Sequence, residues 1–388
     1  MSQGIIPKQS DARQPRRAIA PRPLPDLRTN APVHGNSRVC QTGRGKNKYK
    51  ETVMPSQFGR ALRAYSVAAA LCATAPLASL CAAPAAYAET ITVTHYGAEF
   101  YGAPYAVALA KGYFKARNVD ITGFLTSTGG GTSVRNTLAG DLPFGEVALS
   151  AAVQAINAGQ PLVIIGGGVQ SVGDEMWIAK KGSPIRSIQD LVGKKVGFTS
   201  PGSVTNMLIL MALKAAHIDR SKVTLVPAGG VGANLSAVVN GALDAAMCAE
   251  PVWTENAERV QPVFWVRDIL PGNMMQTVTV TTADYAKAHP DTLRALLAAR
   301  REGVQFIKAH PDEAADITAK AYNGDAQIYR TVFKNFLQQN YWDEGKFDYD
   351  AMNHMVEGLQ IVGQIDGPVD WAKMVNASFL PADLQPTQ

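Results

Sequence analysis

The chain has 388 residues, 37 Lys+Arg against 32 Asp+Glu, a formal charge of +5, 46% apolar and 18% charged residues. That apolar content excludes a globally disordered chain, and the length allows two or three domains. The charge excludes a nucleic-acid reading once it is located: residues 1–88 hold 13 basic and 3 acidic residues, a balance of +10, whereas residues 89–388 hold 24 and 29, a balance of −5.

Residues 1–53 are rich in Pro, Arg and Lys and lack apolar periodicity, so they read as a disordered extension or a misplaced start. Met54 is then the natural start, and residues 54–88 read as a signal peptide. Arg60 and Arg63 give a positive first part, Val67 to Leu80 an apolar stretch too short to span a bilayer, and Ala86-Tyr87-Ala88 a small-x-small cleavage site before Glu89. A lipid anchor fits less well, because Cys72 and Cys81 each follow a leucine. Removing the leader leaves Cys248 as the single thiol of an exported, periplasmic chain.

Thr90 to Tyr96 alternates apolar and polar residues and predicts a strand. Rows of Tyr105, Leu109 and Tyr113 predict an amphipathic helix. Val119 to Leu125 predicts a strand, Ser127 to Thr132 a tight turn into a helix, Gly145 to Leu149 a strand, Ala151 to Ala158 a helix and Leu162 to Gly166 a strand. This βαβα alternation predicts a parallel sheet covered by helices.

The pattern then restarts. Glu175 to Lys180 reads as an extended crossover, and Ser187 with Asp190 as a capping box. Lys195 to Phe198, Val223 to Val226, Ala245 to Cys248 and Val263 to Val266 read as strands, with helices over Met207 to Ala216 and Ala233 to Asn240. Gln276 to Thr281 is extended and returns the chain to the first lobe. Beyond it, A-H-P-D at 288–291 and 309–312 marks two helix starts, and further helices follow near Tyr329 to Phe336 and Asp350 to Val362. The expected organisation is an α/β protein of two lobes: 89–176 and 277–388 form the first with a helical tail, and 177–276 the second. A ligand cleft between them lies beyond the strand ends.

K-G-Y-F at 111–114 with V-D-I-T after it, L-A-G-D-L at 138–142, A-G-Q-P-L at 158–162, S-I-Q-D-L-V-G-K-K-V-G at 187–197 and V-V-N-G-A-L-D-A-A-M-C-A-E-P at 238–251 carry a resemblance. In this order the chain resembles the nitrate/sulfonate/taurine class of ABC-transporter solute-binding proteins (SsuA/THI5-like), from about Thr90 to Phe379. The resemblance implies the periplasmic-binding-protein-like type II fold. It also implies delivery of a small solute, of a sulfonate or carboxylate class, to a membrane permease and its ATPase. Nitrate and pyrimidine or thiamine-precursor solutes are alternatives within the class, as is a receptor feeding a sensor. A pyrimidine-synthase-like enzyme fits poorly, since its cysteine-rich motif is missing.

No nucleophile elbow, phosphate loop or C-x-x-C is present, Cys248 lies in an apolar run, and the histidines at 95, 217, 289, 310 and 354 have no metal-ligand spacing. Binding without chemistry, by a monomer without metal or cofactor, is therefore expected. Turns after strands supply the candidate ligand-binding residues. Ser127, Thr128 and Gly129 precede one helix, and Ser200, Gly202 and Ser203 another, where hydroxyls and helix N-termini suit an anion. The same residues could equally be ordinary caps. His95, Tyr96, Glu99 and Tyr101 follow the first strand and either meet a solute or pack on their own lobe. Ser150 and Gln170 follow the third and fourth strands and are expected at the cleft. Trp177 either walls the cleft or fills a core. Glu250, in the A-E-P that resembles the family motif, either holds the hinge or touches solute. Arg135, early in its helix, is expected to pair structurally rather than with solute.

Overall fold

The computed structural model describes residues 89–127 and 129–386. The extension, the signal peptide and Thr128 lie outside the described residues.

Two five-stranded sheets organise the chain. The first half supplies β1 (Glu89–Thr94), α1 (Ala103–Ala110), β2 (Ile121–Ser127), α2 (Gly130–Ala139), β3 (Phe144–Ala148), α3 (Leu149–Asn157) and β4 (Leu162–Gly167). The second set is β5 (Glu175–Lys180), β6 (Lys195–Phe198), α4 (Val204–Ala215), β7 (Thr224–Pro227), α5 (Val231–Val239), β8 (Ala245–Ala249), α6 (Val252–Glu255) and β9 (Val260–Trp265). The chain returns through β10 (Thr277–Thr282). It ends in α7 (Ala283–Ala288), α8 (Pro290–Ala309), α9 (Pro311–Tyr322), α10 (Ala326–Gln338), α11 (Tyr349–Ile361) and α12 (Trp371–Met374).

The strand orders are β2-β1-β3-β10-β4 and β7-β6-β8-β5-β9. β1 runs parallel to β2 and β3, and β6 parallel to β7 and β8. β10 is antiparallel to both β3 and β4, and β5 to both β8 and β9. The expected parallel sheet is therefore a mixed one. Each sheet takes its antiparallel member from the chain arriving from the other lobe, so Glu175–Lys180 is a strand inside the second sheet and not a bare crossover.

Local chemistry sets the element ends. Ser187 and Asp190 form the expected capping box. Pro290 and Pro311 open α8 and α9, with Asp291 and Asp312 in their first turns. Asp325 and Asp348 accept backbone N–H bonds at the starts of α10 and α11. α8 buries Leu293, Leu296, Leu297 and Val304, each worth about 1.5–3 kcal/mol when fully removed from water. Inside the first lobe, Arg300 Nε donates to Glu146 Oε2 at 2.7 Å, and Thr277 Oγ1 donates to Glu146 Oε1 at 2.7 Å. The tail reaches across as well: α11 packs on both α3 and α4. Gly358 permits the α4 contact, because a Cβ there would lie 2.9 Å from Met207 Cβ.

Candidate solute site between the two lobes

A cavity of about 1250 Å³ lies between the lobes. The first lobe lines it with the segment after β1, the start of α2, the start of α3, and Gln276-Thr277 at the start of β10. The second lobe contributes Glu175, residues 199–205, Gly229, Gly230 and Met247, and Gln364 reaches it from beyond α11. The volume exceeds what a drug-sized pocket commonly offers.

Three helices begin at this wall without a side-chain cap. α2 starts after Gly129, α3 after Ala148 and α5 after Gly230. Their first backbone N–H groups leave partial positive charge at the cavity. α2 and α3 begin side by side because residue 130 is glycine: a Cβ there would stand 2.8 Å from Ala151 Cβ and 2.9 Å from Ala148 Cβ. α4 differs. Ser203 Oγ accepts from Asn206 N at 3.2 Å, and Thr199 Oγ1 donates to Ser203 Oγ at 2.8 Å. The turn before α4 thus caps its own helix, one of the two roles open to it from sequence, while Ser200, Gly202 and Ser203 still line the cavity.

The opposite character appears beside the two crossovers. Glu99, Asp174 and Glu175 bring carboxylate oxygens within 4.8 Å of one another, and each residue is at most 2% exposed. Gln276 Nε2 donates to Asp174 Oδ1 at 2.6 Å, and Tyr341 Oη to Asp174 Oδ2 at 2.8 Å. Tyr101 Oη donates to Gln276 Oε1 at 2.8 Å, and His95 Nδ1 lies 3.5 Å from Glu99. Burial, with Glu99 adding repulsion, raises the Asp174 carboxyl to about 7. Burial raises Glu175 well above the usual carboxylate range, with Asp174 and Glu99 adding to it.

Of the residues named from sequence, His95, Glu99, Tyr101, Gly129, Ser150, Ser200, Gly202 and Ser203 line this cavity. Thr128 lies outside the described residues. Five others sit elsewhere. Tyr96 packs on Phe124 and Tyr322, with ring centroids 4.5 and 4.8 Å apart. Ser127 is buried and bonds to Ser133 and the Gly129 carbonyl. Gln170 lines a separate pocket of about 640 Å³ with Asn340 and Tyr349. Trp177 is fully buried in the second lobe: its Nε1 donates to the Gly197 carbonyl at 3.0 Å, and its ring stacks on Phe264. It walls no cleft, because β5 is an interior strand with residue 177 on its core side. Glu250 accepts from Thr254 N and Oγ1 at 3.3 and 3.0 Å and so holds the start of α6.

Arg135 lines the cavity while exposed, and donates to Thr132 Oγ1 at 2.9 Å. Cys248 is buried, and burial pushes its thiol up, away from reactivity. Sequence reasoning missed Thr94, Glu175, Gln276, Met247 and Gln364 at the wall, and Asp174 behind it. One signal was visible: Asp174-Glu175 are two acids entering an otherwise apolar strand, an arrangement with no value to a core.

The NMT1/THI5-like family model matches residues 99–314. A protein of Brucella abortus described as a binding protein is 27% identical over 296 residues, covering 74% of this chain and 90% of its own length. The riboflavin-binding protein RibY of Chloroflexus aurantiacus is 24% identical over 347 residues, covering 79% and 92%. The periplasmic aliphatic sulphonate binding protein SsuA from Escherichia coli superposes with a TM-score of 0.62 at 17% identity, covering 78% and 94%. With two mixed α/β lobes and a cavity lined from both, the chain has the periplasmic-binding-protein fold and belongs to the NMT1/THI5-like family.

Proposed function

We propose that the chain is the solute-binding component of an ABC importer. It captures a small solute between its lobes, closes on it, and delivers it in the periplasm to a membrane permease and its ATPase, without chemistry. The observation that carries this reading is the cavity of about 1250 Å³ lined from both lobes. A solute touching both lobes binds the closed form better than the open one and so shifts that equilibrium. The two crossovers and the α11 contact are the places where the lobes can hinge. The names of RibY and SsuA support a small organic solute in this position. Among the described residues no helix is long and apolar enough to cross a membrane.

A carboxylate or sulfonate of the solute finds its best place at the open starts of α2, α3 and α5, where backbone N–H groups and helix dipoles favour negative charge. The decisive experiment is a thermal-shift screen of the purified chain against sulfonates, aromatic carboxylates, nitrate, pyrimidines and flavins. A solute at a hundred times its Kd stabilises the folded state by about 2.7 kcal/mol. Small-angle scattering with the same solute is expected to show a smaller radius of gyration. A broad panel in which nothing moves the midpoint would sink the receptor reading.

A further inference from the structure

The acidic side of the cavity poses a question of charge that a receptor for anions does not answer. Asp174 is engaged, since Gln276 and Tyr341 donate to its two oxygens. Glu175 is different: it is 2% exposed, its Oε2 is buried without any hydrogen-bond partner among the described residues, and it lines the cavity. Glu99 also lines the cavity, and the His95 Nδ1 lies 3.5 Å from its carboxylate. Buried acceptors are normally paired, and one left open toward a cavity marks the place where a ligand supplies the donor. Arg135, the cavity's one permanently charged cation among the described lining residues, is exposed and occupied with Thr132. Tyr101 lines the same wall with Tyr341 stacked behind it, their planes 18° apart, so an aromatic surface lies beside the carboxylates. Aromatic faces and carboxylates together attract organic cations.

Resting on the receptor reading above, we propose that Glu99 and Glu175 receive a protonated nitrogen head group of the solute, an ammonium or amidinium-type cation, with Asp174 held behind them by Gln276 and Tyr341. Such a head brings two or more N–H donors to two carboxylates, a geometry that gives short, charge-assisted bonds. A bare divalent metal suits the place less well. Asp174 already accepts two hydrogen bonds, and one ion would leave most of the cavity volume without a role. The far side, with its open helix starts, can still take an anionic group, so a zwitterionic solute satisfies both ends.

The test titrates the purified full chain with probes on one aromatic skeleton, benzamidine, benzoate and benzenesulfonate, with phenethylamine as an ammonium probe, and with zinc and calcium alone. Benzamidine or phenethylamine is expected to bind, and Glu175→Gln to weaken that binding at least about tenfold. Glu99→Gln provides a second variant should the first fold poorly, and circular dichroism checks both. Binding of a cation probe that both variants leave unchanged overturns the assignment. So does binding confined to benzoate or benzenesulfonate, although the receptor reading then stands. Zinc or calcium binding that disappears in Glu175→Gln overturns it in favour of a metal. If no probe binds, the head-group assignment falls, and the broad solute screen decides the receptor reading separately.

Discussion

Asp174 has no accessible surface, and its carboxyl titrates near 7 because burial and the neighbouring Glu99 penalise its charge. Its folded value lies above its unfolded one, so the folded state holds an extra proton between about pH 4 and 7. Stability from this group is therefore fully present below that window, falls as pH rises through it by up to about 1.4 kcal/mol per unit, and is lost above it. Asp174→Asn is expected to flatten the dependence, read as urea midpoints from pH 5 to 8. Glu99, Glu175, His95, Tyr101, Tyr341 and Gln276 surround the group, and comparison with the variant isolates the part that Asp174 itself contributes. A second residue-scale consequence concerns Glu146 and Arg300, which are buried and paired. Arg300→Met strands a buried carboxylate and is expected to cost about 3–5 kcal/mol, whereas Glu146→Gln with Arg300→Met costs much less, measured by denaturant unfolding. None of these pairings was legible in the sequence. Arg300 meets Glu146 across 154 residues and Gln276 meets Asp174 across 102, and no local pattern encodes such a distance.

Elements were far more legible than pairings, because their ends are decided within a few residues. The capping box at Ser187 and Asp190 and the strand Lys195–Phe198 were read as they stand. Trp177 and β10 show the limit. T-V-T-V-T-T alternates as a half-exposed strand would, yet Thr277, Thr279 and Thr281 are all buried. Thr277 is accommodated by Glu146 and Thr281 by the Pro143 carbonyl, partners that alternation cannot announce. Which of its two open roles the turn before α4 takes likewise depended on a detail below sequence resolution, the rotamer that makes Ser203 a cap. Ser203→Ala is expected to lower stability by about 1 kcal/mol in urea titrations. Gly129 has extended backbone and open space around a built Cβ. Gly129→Asp is therefore expected to leave stability within a few tenths of a kcal/mol, while its carboxylate at the start of α2 weakens any anionic solute, read by titration calorimetry.

At the scale of the molecule, the two-lobe plan was legible because the βα pattern restarts after residue 174, while the mixed direction of the sheets was not. Strand order has no sequence period; it follows from where the returning chain finds unpaired neighbours. The place β10 takes, between β3 and β4, has a further consequence in time. The second sheet is built from one continuous stretch, Glu175 to Trp265. The first sheet stays in two pieces until β10 arrives, well over a hundred residues after β3. As the chain emerges N-terminus first, its leading lobe keeps two bare strand edges and the lobe that follows can close before it. Pairings of such separation form slowly, since loop entropy is lost before contacts repay it. Pulse-labelling hydrogen exchange during refolding is expected to protect the amides of β6 and β8 before those of β3 and β4. The opposite order would show that the first lobe does not wait. Through that interval the leading lobe remains threadable, and its exposed edges make it the part of the nascent chain with most need of a chaperone.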